Sequence, residues 1–246
     1  MAWGKIIDFL ISYAKERDEP VKDVRVGLNW TCVLSKNLGV AMTYKIGWEI
    51  KDAGRLDEMT TGELAELLKS WNLVEASVGL ASINSTIDVK TEKTGNGLEI
   101  GLKMSKGKRV IMIGKFPGYT RFKGIAKEFY VLELNPNLID LNDGILPSTA
   151  SEELLERSDI VIMTATTIIN KSVDRLLELA KNVFVIMVGP STPMIEELLD
   201  FGIDVLAGLK VINPYSLMKK ISQGMVNEER LKGDASFVIM TKKEII

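Results

Sequence analysis

Three segments of the sequence place glycine, hydroxyl or amide side chains directly behind a short apolar run. Gly114-Lys115-Phe116-Pro117-Gly118 follows Val110 to Ile113, Thr164-Ala165-Thr166-Thr167 follows Ile160 to Met163, and Gly189-Pro190-Ser191-Thr192-Pro193 follows Val183 to Val188. If the runs are parallel strands, these segments lie outside their carboxyl ends, where free backbone N–H groups gather and open α/β sheets bind ligands. Gly114 and Gly118 are spaced G-x-x-x-G, which is not the G-x-G-x-x-G of a dinucleotide cradle. Phe116 takes the place of the second glycine and Pro117 removes an N–H donor, so the loop reads as a rigid aromatic ligand loop in which Phe116 could stack on a ring.

Thr164, Thr166, Thr167 and Asn170 supply more polar groups than one helix cap uses, although capping alone would account for each of them. Gly189, Pro190 and Ser191 repeat the pattern at a third strand end, and three such loops on one edge predict a pocket. Glu133 ends the run YVLEL at about the distance from Gly114 at which dinucleotide folds place an acidic residue for ribose hydroxyls. It reads as an acceptor for a diol, as an acid/base if burial raises its pKa, or as a carboxylate satisfied by loop N–H groups. Lys115 reads as an exposed loop lysine.

The composition removes several chemistries. The 246 residues contain no histidine, the usual general base and the commonest metal ligand, and a single cysteine, Cys32. Cys32 lies in an alternating apolar stretch and reads as core, with no histidine to activate it. No protein metal site is expected: it would have to be carboxylate-rich, and no tight Asp/Glu spacing suggests one. Neither a G-x-x-x-x-G-K-[ST] phosphate loop nor a serine elbow paired with histidine occurs. A formal net charge of -2 without a Lys/Arg stripe gives no footprint for nucleic acid. The apolar runs are far shorter than the roughly 20 residues needed to cross a bilayer. Trp3, Ile6, Ile7, Leu10 and Tyr13 fall at helical spacing but are interrupted by Asp8, unlike a secretory signal. The chain reads as cytoplasmic, with a small-molecule partner and with self-association into a homo-oligomer left open.

The elements that must position these groups divide into two styles. Asp23 to Leu34 carries Val24, Val26, Leu28, Trp30, Cys32 and Leu34 on alternate positions, which predicts one strand of a hairpin completed by Val40 to Tyr44. Thr60 with Glu63 is a capping-box signature for a helix over about 61–70, and Asn72 with Glu75 resembles a second, opening VEASVGLASINS. That segment is rich in Ala, Ser and Gly, so it should press closely against another backbone, with Ser82 and Asn84 as candidate ligand groups. From Lys108 onward, apolar runs alternate with helix candidates over 151–157, 170–180, 192–201 and 215–223. This predicts a Rossmann-like doubly wound, mostly parallel sheet. The expected division is a small α+β domain over residues 1–95 and the α/β domain over 96–246, joined near Gly95 to Gly107 with one helix over about 98–105.

VGLASINS, VIMIGKFPG, VLELNP, DIVIMTATTIIN and VGPSTP, in this order, resemble the family of putative heavy-metal chelation domain proteins. The resemblance covers nearly the whole chain and implies an enolase N-terminal-like domain followed by a Rossmann-like one. It also implies a site between the domains, bringing Asn84 toward Gly114, Phe116, Glu133, Thr166, Thr167 and Asn170. The activity it implies is the making or modifying of pterin-, flavin- or siderophore-like chelators. Ala165 stands where the family pattern has glycine. On these readings Glu133 and Asn84 are the catalytic candidates, acting on a polar heterocyclic metabolite. The alternative is a non-catalytic module that binds a metabolite or a metal–chelator complex.

Overall fold

The computed structural model describes residues 4–91 and 93–242, so Trp3 of the predicted first helix lies outside the described residues. Helix α1 (Lys5–Lys15) buries Ile6, Ile7, Leu10, Ile11 and Ala14, the apolar stripe of its sequence. The expected hairpin is a three-stranded antiparallel meander of β1 (Asp23–Val26), β2 (Trp30–Leu34) and β3 (Leu38–Met42). The single strand expected over Asp23 to Leu34 is broken at Gly27, whose N–H bonds Trp30 O at 2.9 Å. The turn also splits the alternating set between faces: Val24 and Val26 pair with Val33 and Thr31, while Trp30, Cys32 and Leu34 face the other side. Leu28, at the tip, is 65% exposed.

Helix α2 (Thr61–Ala65) carries the predicted capping box in full: Thr60 accepts from Glu63 N and Glu63 accepts from Thr60 N. Helix α3 (Leu73–Ser85) is capped by Asn72, but Glu75 does not close a second box. Its carboxylate instead accepts from Lys51 N and Ser70 Oγ. The small residues of α3 do what their size suggests. A Cβ on Gly79 would lie 2.3 Å from Leu68 N. A Cβ on Gly39 in β3 would lie 2.0 Å from Ala81 O, so strand and helix meet backbone to backbone.

Helix α4 (Gly97–Met104) leads into a seven-stranded sheet of order β10-β9-β8-β7-β4-β5-β6. Its strands are β4 (Arg109–Ile113), β5 (Glu128–Glu133), β6 (Ile145–Pro147), β7 (Ile160–Thr164), β8 (Phe184–Val188), β9 (Val205–Val211) and β10 (Ala235–Thr241). All neighbours are parallel except β9 and β10. Alternate residues face opposite sides: Ile111, Val161, Val185 and Met187 share a core with α1 and α3, while Val110, Met112, Ile162 and Ile186 pack with Ile100 of α4. Sequence reading missed the three-residue β6 and overestimated the helices that follow β7 and β8. After β7 come two short helices: α6 (Thr166–Ile169), then Lys171 at φ 65°, then α7 (Val173–Leu179). The helix α5 (Ser151–Leu154) precedes β7. Thr192 to Ile195 is not helical, so Pro193 opens no helix, and only Glu196–Phe201 coils, as a 3-10 turn. Helix α8 (Pro214–Ser222) precedes β10, whose outer side is bridged by Thr94. There Gly95 N bonds Phe237 O at 3.1 Å and Ile239 N bonds Lys93 O at 2.9 Å. No helix among the described residues is long and apolar enough to cross a membrane.

Candidate functional site

The chain leaves β4 toward β5 on one side of the sheet and returns at β7 on the other, so the topological switch point lies between β4 and β7. Gly114 and Thr164 flank it. Gly114 has φ 86°, and a Cβ there would stand 2.9 Å from Thr164 Cγ2, so the two strand ends touch. Thr164 Oγ1 lies 3.0 Å from Thr166 Oγ1 and accepts from Thr166 N at 3.3 Å. Thr167 is buried and donates to Thr164 O at 2.8 Å, which is internal bracing of the turn. Asn170 Oδ1 accepts from Ser172 N at 3.1 Å and Ser172 Oγ at 2.7 Å, and its Nδ2 donates to Tyr44 Oη at 3.4 Å. Asn170 thus ends α6, braces Ser172 ahead of α7 and ties this turn to the segment after β3.

Glu133 is occupied by its own loops. Its carboxylate accepts from Lys115 N at 3.1 Å, Leu134 N at 2.8 Å and Asn135 N at 3.0 Å. This is the backbone-satisfied arrangement, in which the charge fixes the Gly114 loop against the end of β5. Gly118 at φ 77° starts the 3-10 turn Tyr119–Phe122. Phe116 packs against the core on the α4 side of the sheet, beside Gly97 and Leu98. Asn84 belongs to α3, on the opposite face, so the structure does not bring Phe116 and Asn84 together. Ser82 is buried within the N-terminal half and donates to Thr61 O at 2.9 Å, again away from the strand ends.

Asn84 and the loop after β8 do meet. Asn84 Nδ2 donates to Val40 O at 2.9 Å and to Ser191 O at 3.1 Å, while Ser191 Oγ accepts from Met42 N at 2.8 Å. These bonds seat the edge of β3 on the loop Gly189-Pro190-Ser191-Thr192. Beside them opens a cavity of about 390 Å³, within the size range of small-molecule sites. One wall is Leu38, Val40 and Ile87 from the N-terminal half, and the other is Pro190, Met194 and Leu209 from the sheet. At the rim, Lys36 Nζ pairs with Asp88 at 2.7 Å, and Asn37 Nδ2 donates to Asp88 at 3.1 Å. Two oxygens of residues lining this cavity, Asn84 Oδ1 and Thr192 Oγ1, are buried without a partner among the described residues. Sequence reading singled out Asn84, Pro190 and Ser191, took Thr192 only as part of the same hydroxyl-bearing loop, and passed over Asn37 and Gly39 as site residues. A glycine inside an apolar strand was the available signal at Gly39, since it marks the close approach of another backbone.

The donor set does not suit a soft metal ion. Thiolate and imidazole are the ligands such ions prefer, and the chain has no histidine. Cys32 is fully buried, and burial pushes its thiol up to about 12, so it stays protonated. Among the described residues no three His, Cys, Asp or Glu side chains gather where they could hold an ion.

Comparison with known proteins places this architecture. Residues 96–241 match the DUF364 model and residues 7–87 the DUF4213 model, both described as "Putative heavy-metal chelation". The uncharacterized protein MJ0500 of Methanocaldococcus jannaschii is 31% identical over 215 residues, 81% of this chain and 82% of that protein. A crystal structure of a DUF364-family protein of unknown function from Desulfitobacterium hafniense DCB-2 superposes with a TM-score of 0.84 at 25% identity, covering 97% of this chain and 98% of that one. One from Pyrococcus horikoshii (PH1506) superposes with a TM-score of 0.81, also at 25% identity, with 97% and 98% covered. By both segments and by its whole fold, the chain belongs to the DUF364 family described as putative heavy-metal chelation.

Proposed function

We propose that the protein is a binding module for a small metabolite or metal–chelator complex, held in the cavity between the β2–β3 turn, the end of α3 and the β8–β9 edge. The observation that carries this reading is the cavity of about 390 Å³ walled by both halves of the chain, with unpartnered buried oxygens on two of its residues. The family's link to heavy metals then runs through a bound chelator, because the chain's own donors do not suit a soft ion. The expected division into domains 1–95 and 96–246 fits this reading, with the cavity at their junction.

A thermal-shift series tests it, with Zn²⁺ alone, a catechol or hydroxamate chelator alone, and the loaded complexes. A ligand present at a hundredfold excess over its Kd adds about 2.7 kcal/mol to stability. For a chain of this size that is a rise of roughly 5–10 °C. The expected rise occurs with chelator or complex and shrinks in Ile212→Trp, which fills the cavity from its exposed rim. A rise with Zn²⁺ alone that matches the complexes would refute the reading.

The second reading is an enzyme, transferase- or hydrolase-like, acting on a pterin-, flavin- or siderophore-like heterocycle. It is favoured by the contact of Gly114 with Thr164 at the switch point and the Thr164–Thr166 hydroxyl pair. On that reading these hydroxyls orient the substrate, while Glu133 holds the loop rather than moving a proton. Product detected by mass spectrometry and lost in Thr166→Val would favour it over the binding module.

A further inference from the structure

We infer that the cavity selects a neutral ligand by receiving a hydrogen-bond donor, an amide or lactam N–H or a hydroxyl, on Asn84 Oδ1 and Thr192 Oγ1. This rests on the reading of the cavity as a ligand site. The orientation of the Asn84 amide follows from its surroundings: its nitrogen side faces two carbonyl oxygens, Val40 O at 2.9 Å and Ser191 O at 3.1 Å. Turned over, the amide would set oxygen against both of them. Both N–H bonds are therefore spent on the protein, and what remains is an acceptor.

Thr192 is 3% exposed, and its hydroxyl has no partner among the described residues. A buried polar atom left unpaired costs about 1–3 kcal/mol, so two on residues of one cavity mark a place where the missing donor arrives with the ligand. Both oxygens are closed to bulk water. Reaching them requires the loop that carries Thr192 to shift against the bonds Ser191 makes to Met42 N and Asn84 Nδ2.

The charges lining the cavity are engaged, Lys210 in an interaction of its own, which suits a neutral group. Asp88 is engaged by Lys36 at 2.7 Å and Asn37 at 3.1 Å, which leaves no free counter-charge for a desolvated ammonium there. A carboxylate or phosphate brought to Asn84 Oδ1 would oppose acceptor to acceptor. The apolar walls at Leu38, Val40 and Leu209 suit the flat body of a ring.

Three probes decide the matter by NMR titration of the full chain: 2-quinolone, its N-methyl derivative and quinoline-2-carboxylate. The expected result is that 2-quinolone binds, shifting resonances of the cavity residues, and that N-methylation or the carboxylate weakens binding at least tenfold. Thr192 can donate to the ring carbonyl of both probes but accepts an N–H only from 2-quinolone, so Thr192→Val should lower the 2-quinolone affinity by a larger factor than that of the N-methyl probe. Equal affinity for 2-quinolone and its N-methyl derivative overturns the donor rule while the cavity still binds. Failure of all three to bind at millimolar concentration overturns the cavity reading as well. The probe comparison is made on the unaltered protein, so it decides even where the variant misfolds.

Discussion

Replacing Asn84 tests the junction between the two halves most directly. Its Nδ2 makes hydrogen bonds of 2.9 Å to Val40 O and 3.1 Å to Ser191 O. At about 0.5–1.5 kcal/mol net each, the pair is worth roughly 1–3 kcal/mol. In Asn84→Ala both carbonyls lose their donor, but the unpartnered Oδ1 disappears too and returns part of its desolvation cost. The expected loss is about 2 kcal/mol, a fall in Tm of roughly 4–8 °C. Asn84→Asp keeps the shape and removes the donors, setting a carboxylate against two carbonyl oxygens. An unpaired buried charge costs about 3–5 kcal/mol, so this isosteric change should hurt more than the truncation. Its penalty also depends on pH. Burial among acceptors raises the folded-state pKa of the new carboxyl, so the penalty is full above that pKa. As pH falls through it, the protonated carboxyl regains one donor and the gap to wild type narrows. Urea unfolding of the three proteins between pH 5 and 8 measures all of this. An Asp variant as stable as wild type at pH 8, with no pH dependence of the difference, would show that the amide does not bridge these carbonyls.

Three further outcomes follow from packing and charge. Gly39→Ala places a methyl 2.0 Å from Ala81 O and 2.3 Å from Ser85 N, backbone atoms that cannot rotate away, and should cost at least about 1–3 kcal/mol in urea unfolding. Because that shift carries Asn84 with it, ligand affinity should fall in the same variant. Lys171 donates to Ser70 O and Ile169 O, and burial lowers its pKa from 10.5 to about 8. Between those two values the unfolded chain retains a proton that the folded chain has released, so wild-type stability gains from this group as pH rises, and Lys171→Met should lack that gain. Cys32 should resist iodoacetamide at pH 8 in the native protein and react once urea exposes it, because burial holds the thiol protonated at about 12.

The fold was more legible in the sequence than the site was. Strands apolar on both faces announced the parallel sheet, and the Ala, Ser and Gly residues of α3 announced a close helix contact, now seen at Gly39 and Gly79. The break at Gly27 was hidden because apolar residues keep to alternate sequence positions on both sides of it, although the turn moves them to opposite faces of the sheet. Strand β6 was too short, at three residues, to show a period. The strand-end loops were located correctly as a set, but sequence order does not say to which face of the sheet each side chain turns. Phe116 went to the α4 face and Asn84 to the other, which split one imagined cleft into separate places. Glu133 illustrates a different limit: spacing fixes where a carboxylate stands, while its three backbone partners exist only once the loops close around it.

The segment between the two halves has a second consequence. Lys93 to Gly95 bonds along the outer side of β10, at Ile239 N and Phe237 O, and Thr91 Oγ1 donates to Ile239 O. At the far margin of the sheet, β6 is brief and ends in Pro147, which has no N–H to offer. Among the described residues neither margin of this sheet presents a long row of free N–H and C=O groups, an arrangement that disfavours templated growth by another chain. The connector thus covers part of a sheet edge as well as joining the two halves. Its removal should reveal itself in concentration-dependent aggregation before any loss of secondary structure.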